Sequence, residues 1–131
     1  MGPEGHVKKI LVVEDDPVNQ TILSDFLAAN GYETLAASTG QEGITRFQKD
    51  APDLLLVDIQ LPSKSGIEVC REIKGLAQGK STPIVLMSAV YSDHDRPSPE
   101  DQAASLADGY LTKPFDLVAL LAKVRQLIGE A

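Results

Sequence analysis

The 131-residue sequence predicts an α/β domain: a parallel β-sheet with helices on both faces. Three observations predict it. Short aliphatic runs alternate with amphipathic stretches about five times along the chain. The runs KKILVV (8–13) and DLLLV (53–57) contain no apolar–polar alternation, as expected of strands buried on both faces. Between runs stand the breakers Asp16-Pro17, Asn30-Gly31 and Ala51-Pro52-Asp53, which start and stop helices.

The elements follow in order. KKILVV is the first strand. Asp16 caps the first helix and Pro17 takes its first position, where a missing N–H costs nothing. Val18, Ile22 and Phe26, with Leu23 and Leu27, form its apolar stripe, and Asn30-Gly31 ends it. YETLAA (32–37) is the second strand, and a helix runs from about Gly40 to Lys49. DLLLV is the third strand. The third helix runs from Gly66 to about Ala77, with Ile67, Val69, Cys70 and Ile73 apolar. TPIVLMS (82–88) and GYLT (109–112) are the fourth and fifth strands. Between them, Ser98 and Pro99 open a short helix over roughly 99–107. The last helix carries Leu117, Leu121, Val124 and Ile128 at heptad-like spacing. The expectation is a (βα)5 three-layer sandwich over residues 7–129. Residues 1–6 (MGPEGH) are a polar lead-in, disordered or left over from cloning.

Composition narrows the function. Apolar content of 43% and charged content of 24% are those of an ordinary globular domain. A net charge of −7 argues against a nucleic-acid-binding face. The single cysteine, Cys70, permits no internal disulfide and fits a reducing compartment, where it packs on the apolar side of its helix. No run approaches the ~20 apolar residues of a membrane span, so the expected location is the cytoplasm. His6 and His94 lie in loops without metal-ligand company.

The chemistry-bearing residues sit where strands end. The first strand ends in Glu14-Asp15-Asp16, the third in Asp58, the fourth in Ser88-Ala89 and the fifth in Lys113-Pro114. In a parallel sheet these ends share one rim. In the flavodoxin-like order 2-1-3-4-5 the first and third strands adjoin at the point where the order reverses, the usual ligand crevice. Crowded carboxylates repel unless one is protonated or a cation sits among them. A hard, oxygen-only site with room for water suits Mg2+. Metal, ammonium, hydroxyl and a free carboxylate together describe a site for a phosphoryl group on Asp58. Asp16 is assigned to capping instead.

These residues, in this order, resemble a two-component response-regulator receiver domain across residues 7–129. The resemblance is carried by Glu14-Asp15 after LVV, Asp58 in VDIQLPSKSG, Ser88-Ala89 after PIVLM, and the YLTKPF stretch from Tyr110 through Lys113-Pro114. DIQLP and EDDPVNQ look most like single-domain receivers and those of hybrid kinases. The resemblance implies that Asp58 accepts a phosphoryl group from a phosphohistidine on a histidine kinase or phosphotransfer protein. It implies Mg2+ on Asp15, Asp58 and the backbone carbonyl of Gln60, with Glu14 acting through water. Lys113, the Ser88 hydroxyl and the Ala89 amide would meet the phosphoryl oxygens. Inward movement of Ser88 would open space for Tyr110, repacking the 99–107 helix, fifth strand and last helix into a surface for a downstream protein. The Lys113–Pro114 bond would be cis. Activity would be limited to self-phosphorylation and slow self-dephosphorylation, with the protein a monomer or a phosphorylation-dependent dimer. Three departures stand out. Ser65 precedes Gly66 where many receivers have an acid or amide. The 89–99 loop is long and proline-rich. In the family the positions two after Asp58 and two after Ser88 tune self-dephosphorylation; here they are Gln60 and Val90, and because Val90 cannot orient water, slow hydrolysis is expected.

Three rivals are weighed. A phosphohydrolase of the haloacid-dehalogenase type needs an acid two residues past the aspartate, where Gln60 stands, and a cap domain for which there is no room. A flavodoxin would hold phosphate on backbone amides after the first strand, where this chain is triply acidic. An unphosphorylated pseudo-receiver, a binding module only, usually lacks a key residue, and none is missing here.

Overall fold

The computed structural model describes residues 7–89, 107–113 and 116–130. Its described elements are β1 (Lys9–Val13), α1 (Pro17–Ala29), β2 (Glu33–Ala37), α2 (Gly40–Asp50), β3 (Leu54–Asp58), α3 (Gly66–Lys74), a 3-10 turn (Ala77–Gly79), β4 (Ile84–Ala89), β5 (Gly109–Lys113) and α4 (Leu117–Ile128). The strands form one parallel sheet in the order β2-β1-β3-β4-β5. The expected fold and strand order are therefore observed. The expected 99–107 helix, the Val90 position and the Lys113–Pro114 bond lie outside the described residues.

Strand side chains point alternately to opposite faces, and this builds two cores. Leu11, Val13, Leu55, Val57, Ile84 and Leu86 point one way, against Ile44 and Phe47 of α2 and Val69, Cys70 and Ile73 of α3. Ile10, Val12, Leu54, Leu56, Val85 and Met87 point the other way, against Leu23 and Leu27 of α1 and Leu120 and Val124 of α4. Every residue of β3 is buried, as the unbroken LLLV run requires.

Each of the four described α-helices starts on a side-chain cap. Asp16 accepts the Val18 N–H (3.2 Å) and Thr39 the Glu42 N–H (3.1 Å). Asp116 accepts the Val118 N–H (2.8 Å). Ser65 and Glu68 satisfy each other's backbone N–H groups in a reciprocal box. Ser65 is thus a good cap where an acid or amide was the usual residue. α1 stops at Asn30, followed by Gly31 at φ 97, and α2 stops at Ala51 in the left-handed region.

The structure shifts three details. In α1 the buried row is Leu23 and Leu27, while Val18 and Ile22 are 64% and 46% exposed. Both rows satisfy a 3.6-residue period, so only docking against the sheet selects between them. In α4 the fully buried residues are Leu120 and Val124; Leu117, Leu121 and Ile128 flank them, partly buried. α3 ends at Lys74, three residues before its expected end, and the chain turns at Ala77–Gly79. There a Cβ on Gly79 would stand 2.0 Å from the Ile73 carbonyl oxygen, an approach only glycine permits.

Candidate functional site

Parity along the strands decides which side chains meet. Asp58 continues the Leu54–Leu56 row of β3, and Lys113 continues the row of Leu111, which packs on the α1/α4 side. Glu14 follows the Ile10–Val12 row of β1. On that side of the rim Lys113 Nζ donates to Glu14 Oε1 and to Asp58 Oδ2, each at 2.8 Å. Ser88 and Tyr110 lie in the opposite rows: Ser88 follows Ile84 and Leu86, and Tyr110 packs on the α2/α3 core. Ala89 ends β4 beside Lys113, its register partner in β5.

The centre is unusually dry for its charge. Glu14 is 1% exposed, Asp58 3% and Ser88 0%, and these are the buried polar residues among those described. Asp15 is exposed, and one carboxylate oxygen from each of Glu14, Asp15 and Asp58 lies within 4.8 Å of the others. Burial raises the Glu14 pKa more than the Lys113 hydrogen bond lowers it, and the Asp58 charge adds to the rise. Burial alone would lower the Lys113 pKa; its hydrogen bonds to Asp58 and Glu14 outweigh that, and the net shift is upward. Lys113 therefore stays an ammonium, and Glu14 holds its proton more tightly than a free glutamate does.

Backbone groups complete the frame. The Gln60 N–H donates to Asp58 Oδ1 at 3.0 Å, and the Asp16 N–H donates to Glu14 Oε2 at 3.2 Å. The Gly66 N–H donates to the Ile59 carbonyl at 2.9 Å. A Cβ on Gly66 would stand 2.2 Å from the Asp58 carbonyl oxygen and 2.8 Å from Ile59 Cα. That contact explains the Ser65-Gly66 pair: α3 begins directly against the strand tip that presents Asp58. Between them, Ser63 adopts φ 68, and the Lys64 N–H donates to the Pro62 carbonyl at 2.7 Å in a γ-turn.

Three carboxylates, those of Glu14 and Asp58 buried and that of Asp15 exposed, form an oxygen-only donor set that fits Mg2+ rather than a soft metal. Cys70, by contrast, is fully buried, and burial pushes its thiol up to about 11, so it packs and does not react. Sequence reasoning missed Gly66 as the close approach beneath Asp58. The Ser65-x-x-Glu68 box was legible in the sequence; the Gly66 contact was not, since it joins two elements.

A parallel α/β sheet in this order, with carboxylates and a lysine at its carboxyl rim, defines a CheY-like domain with an acidic site. Comparison with known proteins agrees. The family model for the response regulator receiver domain matches residues 10–125. Response regulator MprA of Mycobacterium tuberculosis is 38% identical over 120 residues, covering 92% of this chain and 50% of MprA. The chain spans about half the length of the curated relatives it matches. Among solved structures, Vibrio cholerae chemotaxis protein CheY4 aligns with a TM-score of 0.82 at 28% identity, covering 94% of this chain and 100% of that one. The receiver domain of the sensor histidine kinase PA1611 from Pseudomonas aeruginosa aligns at 0.80 and 27%, covering 95% and 100%; its structure has a magnesium ion coordinated in the active-site cleft. The chain belongs to the response regulator receiver domain family, the phosphorylation-dependent signalling modules of two-component systems. Such domains are signalling modules and not conventional enzymes. No helix among the described residues is long and apolar enough to cross a membrane.

Proposed function

We propose that Asp58 is the phosphoacceptor of a protein-interaction switch, charged by a phosphohistidine on a histidine kinase or phosphotransfer protein. The observation that carries this reading is the Lys113 ammonium, 2.8 Å from both the Glu14 and the Asp58 carboxylates beside Asp15. An Asp58 carboxylate oxygen attacks phosphorus; the O–P bond forms as the N–P bond breaks. The departing imidazole nitrogen keeps the electron pair and takes a proton from solvent. Asp15, Asp58 and the Gln60 backbone carbonyl would hold Mg2+, with Glu14 behind a water. When bound, the metal neutralises phosphoryl oxygens and the crowded acids.

Lys113 then exchanges its carboxylate partner for a phosphoryl oxygen, while the Ser88 hydroxyl and Ala89 N–H take another. Ser88 and Tyr110 lie in adjacent strands on one face of the sheet, which supports the reading that movement of the first is answered by the second. The resulting change at β5 and α4 biases a two-state surface for a downstream protein. We take residues 7–129 as the module, working in the cytoplasm. The net charge of −7 favours protein over nucleic acid as its direct contact. The test is intact mass after incubation with a small-molecule phosphodonor and Mg2+, beside Asp58→Asn. One Mg2+-dependent phosphoryl addition, absent from the variant, is expected; an equal addition to Asp58→Asn would move the acceptor elsewhere.

A further inference from the structure

Gln20, on the first turns of α1, lies outside the set of charged groups described above, yet its side chain reaches the acidic loop. Its Nε2 donates to the Glu14 backbone carbonyl (2.9 Å), to the Ala37 carbonyl (3.2 Å) and to the Ser38 hydroxyl (3.3 Å). With two carbonyl oxygens facing it, the amide orientation is dictated: only the NH2 end fits. The same Ala37 carbonyl accepts the Glu14 N–H at 3.0 Å, one rung beyond the Val13–Ala37 pair. Glu14 is thus held by both of its backbone groups, one to β2 and one to α1. Ser38 is fixed in turn, its N–H donating to Glu42 Oε1 at 2.8 Å.

This arrangement answers a problem set by the charges. Lys113 ties Glu14 to Asp58, but Glu14, Asp15 and Asp58 outnumber that one cation and still repel, and the chain leaves the sheet at Glu14, so the cheapest relief is for the Glu14–Asp15 segment to swing away from Asp58. A clamp that carried positive charge would pair with the carboxylates and compete with a cation. A neutral amide holds the backbone and leaves the carboxylates available. We infer that Gln20 is a positioning residue that holds the Glu14–Asp15 backbone against carboxylate repulsion, so that the acidic site is preorganised for its divalent cation. This rests on the reading of that site as an Mg2+ site.

Gln20→Met removes the donors while keeping length and helix propensity, and Gln20→Ala is a second donor-less variant should Met disturb folding. Mg2+ is titrated into wild type and variant while the backbone amide resonances of Asp15, Asp58 and Gln60 are followed. Phosphorylation by a small phosphodonor is measured over the same Mg2+ range. The expected result is a half-saturating Mg2+ concentration raised roughly tenfold, as for other residues that orient metal ligands, by both readouts. The phosphorylation rate at saturating Mg2+ stays at the wild-type value. A merely structural role would lower the melting temperature and leave the half-saturation point in place, which would overturn the inference. So would a fall in the saturated rate alone. Failure of the wild type to bind Mg2+ would overturn the inference together with the metal reading beneath it, whereas wild-type binding matched by both variants would overturn the inference alone.

Discussion

Lys113 Nζ lies 2.8 Å from Asp58 Oδ2, joining residues 55 positions apart, and the same ammonium reaches Glu14 Oε1 at an equal distance. One cation thus serves two carboxylates that are almost wholly removed from water. Removing one member of such a set strands the other charges.

Lys113→Met is expected to lower stability at pH 7 without divalent cation by about 2–4 kcal/mol. Much of that loss comes from leaving Asp58 and Glu14 facing each other. In the double variant with Asp58→Asn the loss should fall short of the sum of the single losses by about 1–2 kcal/mol. Urea denaturation of the four proteins measures the coupling. Additive losses would mean that the lysine and the aspartate act independently.

The pH dependence follows from Glu14. Its pKa is raised in the folded protein, so the fold binds this proton more tightly than the unfolded chain, whose value is about 4.3. Its contribution to stability is present at low pH and is lost as pH rises through the folded pKa. Lys113 is also raised; its contribution is present below about pH 10.4 and lost only above it. Between mildly acidic pH and pH 8 the Glu14 effect therefore acts alone of the two. Glu14→Gln should become more stable relative to wild type as pH rises over that range, when Mg2+ is chelated. The gain is read as a rise in the variant's melting temperature relative to wild type between mildly acidic pH and pH 8. Parallel stability–pH curves for the two proteins would contradict this.

Gly66 admits no side chain, because a Cβ there would stand 2.2 Å from the Asp58 carbonyl oxygen. Gly66→Ala must push α3 from the tip of β3, with an expected stability cost of about 1–3 kcal/mol. The Gln60 N–H···Asp58 Oδ1 bond is in the same loop, so phosphorylation of Asp58 should slow as well. Thermal melts and phosphorylation kinetics read the two effects. A variant as stable as wild type would show that the loop yields freely.

Loss of the phosphoryl group needs a water aimed at phosphorus, and a side chain that orients water supplies that aim. Val90 has no polar atom to do so. The phosphoryl group is expected to last on the order of minutes or longer, and Val90→Glu should shorten its lifetime about tenfold. The decay of phosphorylated intact mass after removal of the donor measures both. A wild-type half-life of seconds would refute the assignment.

The sequence by itself determined the described elements and their order, because aliphatic runs, cap residues and breakers act over a few residues. Asp16 before Pro17, Thr39 before Gly40 and Ser65 with Glu68 are local signals, and each begins its helix where it stands. The rim positions of Glu14, Asp58, Ser88 and Lys113 were also legible, because each residue ends an apolar run and parallel strands align their ends. The tertiary structure alone decided what lay between elements. Both Val18–Ile22 and Leu23–Leu27 satisfy helical periodicity, and docking on Ile10, Val12, Leu54 and Leu56 chose the latter. Gly66 beneath Asp58 and Gln20 across Glu14 and Ala37 join segments that no spacing rule connects. Contacts of that kind depend on ångström-scale approach after packing, whereas the local signals depend only on neighbours along the chain.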